Sequence, residues 1–418
     1  MARLRPWPTV PEDVRHGIFN NRGSFLVLLV QVAFVGAMVG VERTVLPVLA
    51  KEQFGLSSAL ATLSFILAFG LAKSPANFAA GWLADRFGRH RVLVGGWIVG
   101  LPVPLMVAFA PSWSWVIVAN VLLGIQQGLC WSTTIVMKAD VAGAHRRGLA
   151  VGLNEFAGYG GAAVLAYLTG VVAAAADLRT APFLLGEAFA VLGLITAVLF
   201  AQETAVFIDE GGVEDQRRAS YGPAAFGGIS QAGFVSKLVD VTAWGLLPVY
   251  FHEHGLSIAT VGLLAAAYPA SWALLQPFTG AFSDSHGRRR PIVGGMLMQA
   301  CGLYALVLAG DLTGWLIASV LLGAGTALAY PVLLATAGDI ATPKLRASTI
   351  GHYRLWRDLG FVGGALFVGY LADTIGTVHT LESLAGLGLL SGLIAFATLP
   401  VPIPVRTPEP PGVEDVHA

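Results

Sequence analysis

The chain has 418 residues, 55% hydrophobic and only 12% charged, with 25 basic side chains balancing 25 acidic ones and a mean hydropathy of +0.70. Soluble domains carry about 25% charge, so this composition excludes a soluble globular protein and points to a chain that lives in a lipid bilayer, with no nucleic-acid partner expected. The two cysteines, Cys130 and Cys301, both fall in apolar runs far apart in sequence, which leaves neither a disulfide framework nor a zinc motif.

In chain order, apolar runs of about 20 residues recur, each long enough to cross roughly 30 Å of hydrocarbon as a helix. Twelve are expected, over residues 24–49, 57–80, 92–110, 115–136, 149–173, 182–200, 227–250, 259–281, 292–308, 316–337, 348–371 and 384–399. The first is too long for a signal peptide and lacks a small-residue cleavage site, so it is read as a span. The longest internal polar stretch, AQETAVFIDEGGVEDQRRASY from Ala201, divides six spans from six. The expected organisation is an N-terminal six-helix bundle over residues 1–200, a cytoplasmic linker over 201–226, and a C-terminal six-helix bundle over 227–418 ending in a short cytoplasmic tail.

Lysine and arginine set the orientation. With the N-terminus inside, the inner segments hold Arg3, Arg5, Arg15, Arg22, Arg86, Arg89, Arg91, Lys138, Arg146, Arg147, Arg217, Arg218, Arg288, Arg289, Arg290, Lys344, Arg346 and Arg406, whereas the outer loops hold Lys51 and Arg179. That asymmetry predicts a multi-pass protein of the cytoplasmic membrane with both termini in the cytoplasm.

One segment is written twice. GWLADRFGRHR, from Gly81, returns as GAFSDSHGRRR, from Gly280, 199 positions later, and at the same offset Asp140 meets Asp339, Arg147 meets Arg346 and Gly152 meets Gly351. The offset spans an even number of helices, so the two halves share one orientation and form a parallel repeat. Glycines permit a tight turn there, and an aspartate beside guanidinium groups makes a breakable ionic latch.

Six plus six spans in parallel repeat, with G-x-L-A-D-R-x-G-R-x-R between the second and third and D-x6-R-x4-G after the fourth, resemble the major facilitator superfamily of secondary transporters. The resemblance covers nearly the whole chain. It implies an all-α integral membrane fold of twelve transmembrane helices in two six-helix parallel-repeat bundles, working as a monomer by alternating access. A transporter of this kind is no enzyme, and neither cofactor nor metal is expected. The resemblance also implies gating roles for Gly81, Asp85, Gly88, Arg89, Asp140 and Arg147, and for Asp284, Gly287, Arg288, Asp339 and Arg346 in the second copy, where Phe282, Ser283 and Ser285 depart from the pattern. Where the family's exporters carry an arginine in span four and a Gly-Pro pair in span five, this chain has Asn120 and Tyr159, which leaves uptake or efflux open.

Charge inside a span costs roughly 2.5–3.5 kcal/mol on insertion scales, so intramembrane ionisable groups are functional candidates. Glu42, Arg43, Gln126, Glu155, Lys237, Asp240, Tyr330 and Arg357 are expected along the path of a small organic substrate and its proton, with Asp240, Glu42 and Glu155 as proton candidates in that order. Lys237 and Asp240, three apart, share a helix face, whereas adjacent Glu42 and Arg43 diverge by about 100°. Arg354 and Asp358, four apart, are expected to pair and leave Arg357 for an anionic ligand. Lys73 and Asp358 are expected to form an inner gate, with Arg354 competing for Asp358 when the gate opens.

Energy must come from a gradient, because no lysine in the chain follows a glycine and the ATP phosphate loop G-x4-G-K-[ST] is therefore missing. There is no G-x-S-x-G or H-E-x-x-H, and His252 with His254 reads as loop polarity rather than a metal site. A proton-coupled transporter in the lipid bilayer is the favoured reading. A carrier of an anionic metabolite and a non-transporting, transporter-like sensor are the alternatives.

Overall fold

The computed structural model describes residues 16–143, 146–207, 223–341 and 346–400; the expected positive charges at Arg3, Arg5, Arg15, Arg217, Arg218, Lys344 and Arg406 lie outside them. Among the described residues the fold is helical throughout, in element order α1 (Arg22–Glu52), α2 (Ser64–Phe87), α3 (Arg89–Gly100 continued as Val103–Ala108), α4 (Trp113–Ala142), α5 (Arg147–Ala175) and α6 (Thr180–Phe200). The second half repeats the set as α7 (Pro223–Val241, then Thr242–Leu246 and Leu247–Glu253), α8 (Ile258–His286), α9 (Arg289–Leu308), α10 (Leu312–Ile340), α11 (346–375) and α12 (377–398). Among the described residues, ten helical segments are long and apolar enough to cross a membrane; the last of them bends at Gly376 into α11 and α12, and α2, diluted by Lys73, Ser74 and Asn77, completes twelve.

Packing follows the repeat. In the first half α1 packs on α5, α2 on α4 and α3 on α6; in the second, α7 packs on α11, α8 on α10 and α9 on α12. The halves meet along α5 with α8 and along α2 with α11. Glycine allows these approaches: a Cβ on Gly36 of α1 would lie 1.8 Å from the Gly158 carbonyl of α5, and one on Gly170 would lie 2.8 Å from the Gly262 Cα of α8. In the span that includes α7, 94% of the most apolar window is buried, against 28% for α6, so α7 is central and α6 is the outermost wall. Apolar side chains such as Phe78, Phe278 and Leu199 lie exposed on the perimeter, as a lipid-facing surface requires.

Three expectations at the helix ends change. The repeated segments are not open loops, because α2 runs to Phe87 and α8 to His286, and only Gly88 (φ 92°) and Gly287 (φ 80°) break the helices, in the left-handed region that glycine adopts without strain. The outer connection expected over 372–383 shrinks to one corner at Gly376 (φ 83°). Lys138, expected at the cytoplasmic surface, is fully buried in α4 and donates to the Leu28 carbonyl of α1 at 2.7 Å.

The face carrying the α1–α2 and α7–α8 connections, expected from the arginine asymmetry to be the outer one, is closed by bonds between the halves. Lys51 reaches Glu253 at 2.5 Å, Glu52 meets His252 at 2.6 Å, and Asp373 at the end of α11 accepts from Ser58 Oγ (2.6 Å) and from the Ala59 and Leu60 amides (2.6 and 3.1 Å).

Candidate functional site

The centre is built on α7. Lys237 and Asp240 share its inner face and bond at 2.7 Å through Oδ2, while Arg43 of α1 crosses between the halves to Oδ1 of the same aspartate at 2.8 Å. All three residues are at most 5% exposed, so two cations share one carboxylate inside a low-dielectric bundle. Pairing and hydrogen bonding offset the cost of burying these three charges. Aromatic faces complete their surroundings: the Lys237 ammonium lies 4.6 Å from the Phe361 ring and 5.4 Å from Trp272, and the Arg43 guanidinium lies 5.2 Å from Trp244. Trp244 is positioned by the π-helical turn Thr242–Leu246, a local widening of the helix frequent at functional sites that the hydrophobic pattern does not reveal.

A second charge pair sits on α11. Arg357 donates through Nε (2.8 Å) and Nη2 (2.6 Å) to Oδ1 of Asp358 and through Nη1 to the Tyr330 hydroxyl of α10 at 2.9 Å. Asp358 Oδ2 accepts from Asn77 of α2 at 2.7 Å, and Ser132 of α4 donates to the same Asn77 at 2.8 Å. The anticipated partner of Asp358 on its own helix, Arg354, is displaced by Arg357, whose long side chain folds back on its neighbour once Tyr330 holds one end.

Lys73 makes no ion pair with Asp358 in this conformation. Its ammonium lies instead among three rings, 5.1 Å from Phe69, 5.3 Å from Phe361 and 5.7 Å from Trp131, and among the described residues it has neither a carboxylate within 4 Å nor a hydrogen-bond acceptor. Trp131 in turn donates its indole N–H to Glu155 Oε1 at 2.8 Å, where Asn154 also donates at 3.0 Å. Glu155 Oε2 is buried with no hydrogen-bond partner. Tyr159 stacks on Trp272 across the halves at 3.5 Å, and a small cavity lined by Lys237, Asp240, Trp272, Tyr330 and Arg357 opens beside them.

The structure thus brings Arg43, Lys73, Glu155, Lys237, Asp240, Tyr330, Arg357 and Asp358 into one region between the bundles. Two expected path residues turn elsewhere. Glu42 points into the first bundle, where Asn120 donates to it at 3.2 Å, and Gln126 packs against Gly100 of α3 and accepts from Gln127 at 2.9 Å. Sequence reasoning missed Asn77, Phe361 and Trp272. Asn77 had a signal, since it stands one helical turn from Lys73 on α2.

At the opposite ends of the helices the repeated segments carry matching ion pairs, Arg89 Nε to Asp140 and Arg288 Nε to Asp339, both at 2.8 Å. Asp85 is largely exposed, 3.7 Å from Arg89, and Gly81 borders open space. Gly88 faces Glu203, whose Oε2 accepts the His90 amide at 3.2 Å, so the start of the linker caps α3. Ser283, a departure from the family pattern, accepts from Arg288 at 2.5 Å. The side chains of Arg147, Asp284 and Arg346 lie outside the described residues.

Twelve spans in two repeated bundles around a buried, charged and aromatic-lined centre define a membrane transporter fold. The chain belongs to the Major Facilitator Superfamily, whose family model matches residues 28–227 and 229–416. It is 28% identical over 363 residues to the uncharacterized MFS-type transporter YddS of Bacillus subtilis (strain 168), covering 81% of this chain and 83% of that one. It is 26% identical over 391 residues to the 3-(3-hydroxy-phenyl)propionate transporter of Escherichia coli (strain K12), covering 90% and 95%. A solved D-xylose-proton symporter shares the fold at a TM-score of 0.75 and 17% identity, over 90% of this chain and 97% of that one.

Proposed function

We propose that this transporter carries a small organic anion, a carboxylate on an aromatic or otherwise apolar body, together with a proton, by alternating access. The observation that carries the reading is Lys73, a cation between the bundles ringed by Phe69, Phe361 and Trp131 and without a counter-charge in contact among the described residues. An ammonium in that setting attracts an anion, and ring faces suit an apolar body. The relative named as a 3-(3-hydroxy-phenyl)propionate transporter supports a substrate of this class.

Proton coupling is supported by the carboxylates that lack an ion pair. Asp240 is held by two cations, whereas Glu42 and Glu155 each touch only neutral donors, so the proton is assigned to these glutamates ahead of Asp240. A proton and a monoanion bound together cross as a neutral pair, and the proton gradient then drives uptake. The bundles of residues 1–200 and 227–418 rock as units within one copy in the cytoplasmic membrane, both termini inside, while the linker of 201–226 joins them. The inner-end pairs Arg89–Asp140 and Arg288–Asp339 brace the cytoplasmic ends, and Lys73 exchanges its anion for Asp358 when the inner side closes.

The test is counterflow in proteoliposomes loaded with aromatic monocarboxylates, neutral sugars or organic cations. Saturable exchange of the carboxylates is expected, lowered at least tenfold by Lys73→Met. Exchange of sugars or cations only would contradict the reading.

A further inference from the structure

Trp131 touches both halves of the proposed coupling. Its indole N–H donates to Glu155, and its ring face lies 5.7 Å from the Lys73 ammonium. Its position is tightly set: Glu155, Gly158 and Tyr159 stand at i, i+3 and i+4 on one face of α5, and a Cβ on Gly158 would lie 2.5 Å from the Trp131 ring, so only glycine admits the indole there. Tyr159 covers the other side with its ring centroid at 5.2 Å.

We propose that Trp131 is the coupling residue of this transporter, a positioning residue through which protonation of Glu155 governs how strongly Lys73 binds the substrate's carboxylate. The inference rests on the proposed anion transport. With Glu155 ionised, the indole bond is charge-assisted, about twice as strong as a neutral one, and holds the ring face towards the Lys73 ammonium. A proton on the unpartnered Oε2 removes that charge and weakens the pull on the indole, and Lys73 then takes the anion. Reciprocity requires that a bound anion equally favour the proton on Glu155.

The other groups around Glu155 do not substitute for this link. From α4, buried Lys138 interacts with it electrostatically, but its side-chain nitrogen is committed to the Leu28 carbonyl and touches neither Trp131 nor Lys73. On α5 Asn154 is a neutral donor and Tyr159 a phenol, and Tyr330 of α10 is the phenol that already binds Arg357.

The experiment measures half-saturating carboxylate concentration in counterflow between pH 5.5 and 8, alongside accumulation driven by a pH gradient. The intact transporter should bind its carboxylate at least fivefold more tightly at the acid end. Trp131→Phe keeps a ring face for Lys73 but loses the N–H; counterflow should fall two- to fivefold and the pH dependence flatten to less than twofold. Glu155→Gln should lose gradient-driven accumulation while retaining measurable exchange. Trp97→Phe deletes an indole bond to Gln31 (2.6 Å) inside the first bundle and should keep the pH dependence. A Trp131→Phe protein with the pH dependence of the intact chain overturns the coupling role alone. Absence of carboxylate counterflow in the intact chain overturns the anion reading beneath it.

Discussion

Asp240 uses one oxygen for Arg43 and the other for Lys237, and this double commitment decides its role. Asp240→Asn leaves two buried cations facing a neutral amide, and removing one partner of a buried ion pair costs about 3–5 kcal/mol. A large drop in melting temperature in detergent is expected. Glu42→Gln keeps an acceptor for Asn120 and should change stability by about 1 kcal/mol or less. Equal melting temperatures for the two variants would contradict the structural role of Asp240. At this scale the sequence is legible where partners are neighbours: Lys237 and Asp240, three apart, pair as helix geometry demands. Arg43 is 197 positions from Asp240, and no local rule announces that bond. Arg357 displaced Arg354 because Tyr330, on another helix, fixes its far end, a tertiary effect that spacing along α11 does not contain.

Elements are positioned by their ends. The outer seal depends on Asp373, which binds Ser58 and two backbone amides at the entry to α2. Asp373→Ala should open that seal, and a cysteine introduced at Val249, beside the outer cavity near Asp373, should react at least fivefold faster with a membrane-impermeant thiol reagent in a Cys301→Ser background. Unchanged reactivity would show that the seal does not depend on Asp373. The α5–α6 turn behaves similarly: the slight burial of Asp177 raises its pKa, but hydrogen bonds from the amides of Arg179, Thr180 and Ala181 outweigh it and hold the carboxyl below its ordinary range. A carboxylate with a lowered folded-state pKa stabilises fully above its unfolded pKa of about 3.9 and loses that contribution as pH falls through the folded value. Asp177→Asn should therefore lower the melting temperature slightly at neutral pH and show no difference near pH 2; a deficit that persists at pH 2 would mean that the carboxylate's charge is not its cause. The spans were legible because hydrocarbon demands about 20 apolar residues, whereas the corners at Gly88, Gly287 and Gly376 were not, since polar residues such as Asp85 and Arg86 continue a helix as readily as they leave it.

Across the whole molecule, duplication was the most informative signal. The 199-residue offset that aligned Asp140 with Asp339 also places Arg89–Asp140 and Arg288–Asp339 at the same distance, 2.8 Å, and the bundles repeat their helix packing. What the repeat does not carry is the site, because transport of a particular substrate needs asymmetry. Glu155 stands where the second copy has Arg354, and Lys73 meets its rings only where α2, α4 and α11 converge. The coupled movement of anion and proton is the claim on which the account stands. Its most direct test is the pH outside lightly buffered proteoliposomes when an aromatic carboxylate is added with no imposed gradient. Symport predicts alkalinisation of the medium in proportion to anion entry, lost in Glu155→Gln. Anion entry with no pH change, or with acidification, would contradict it.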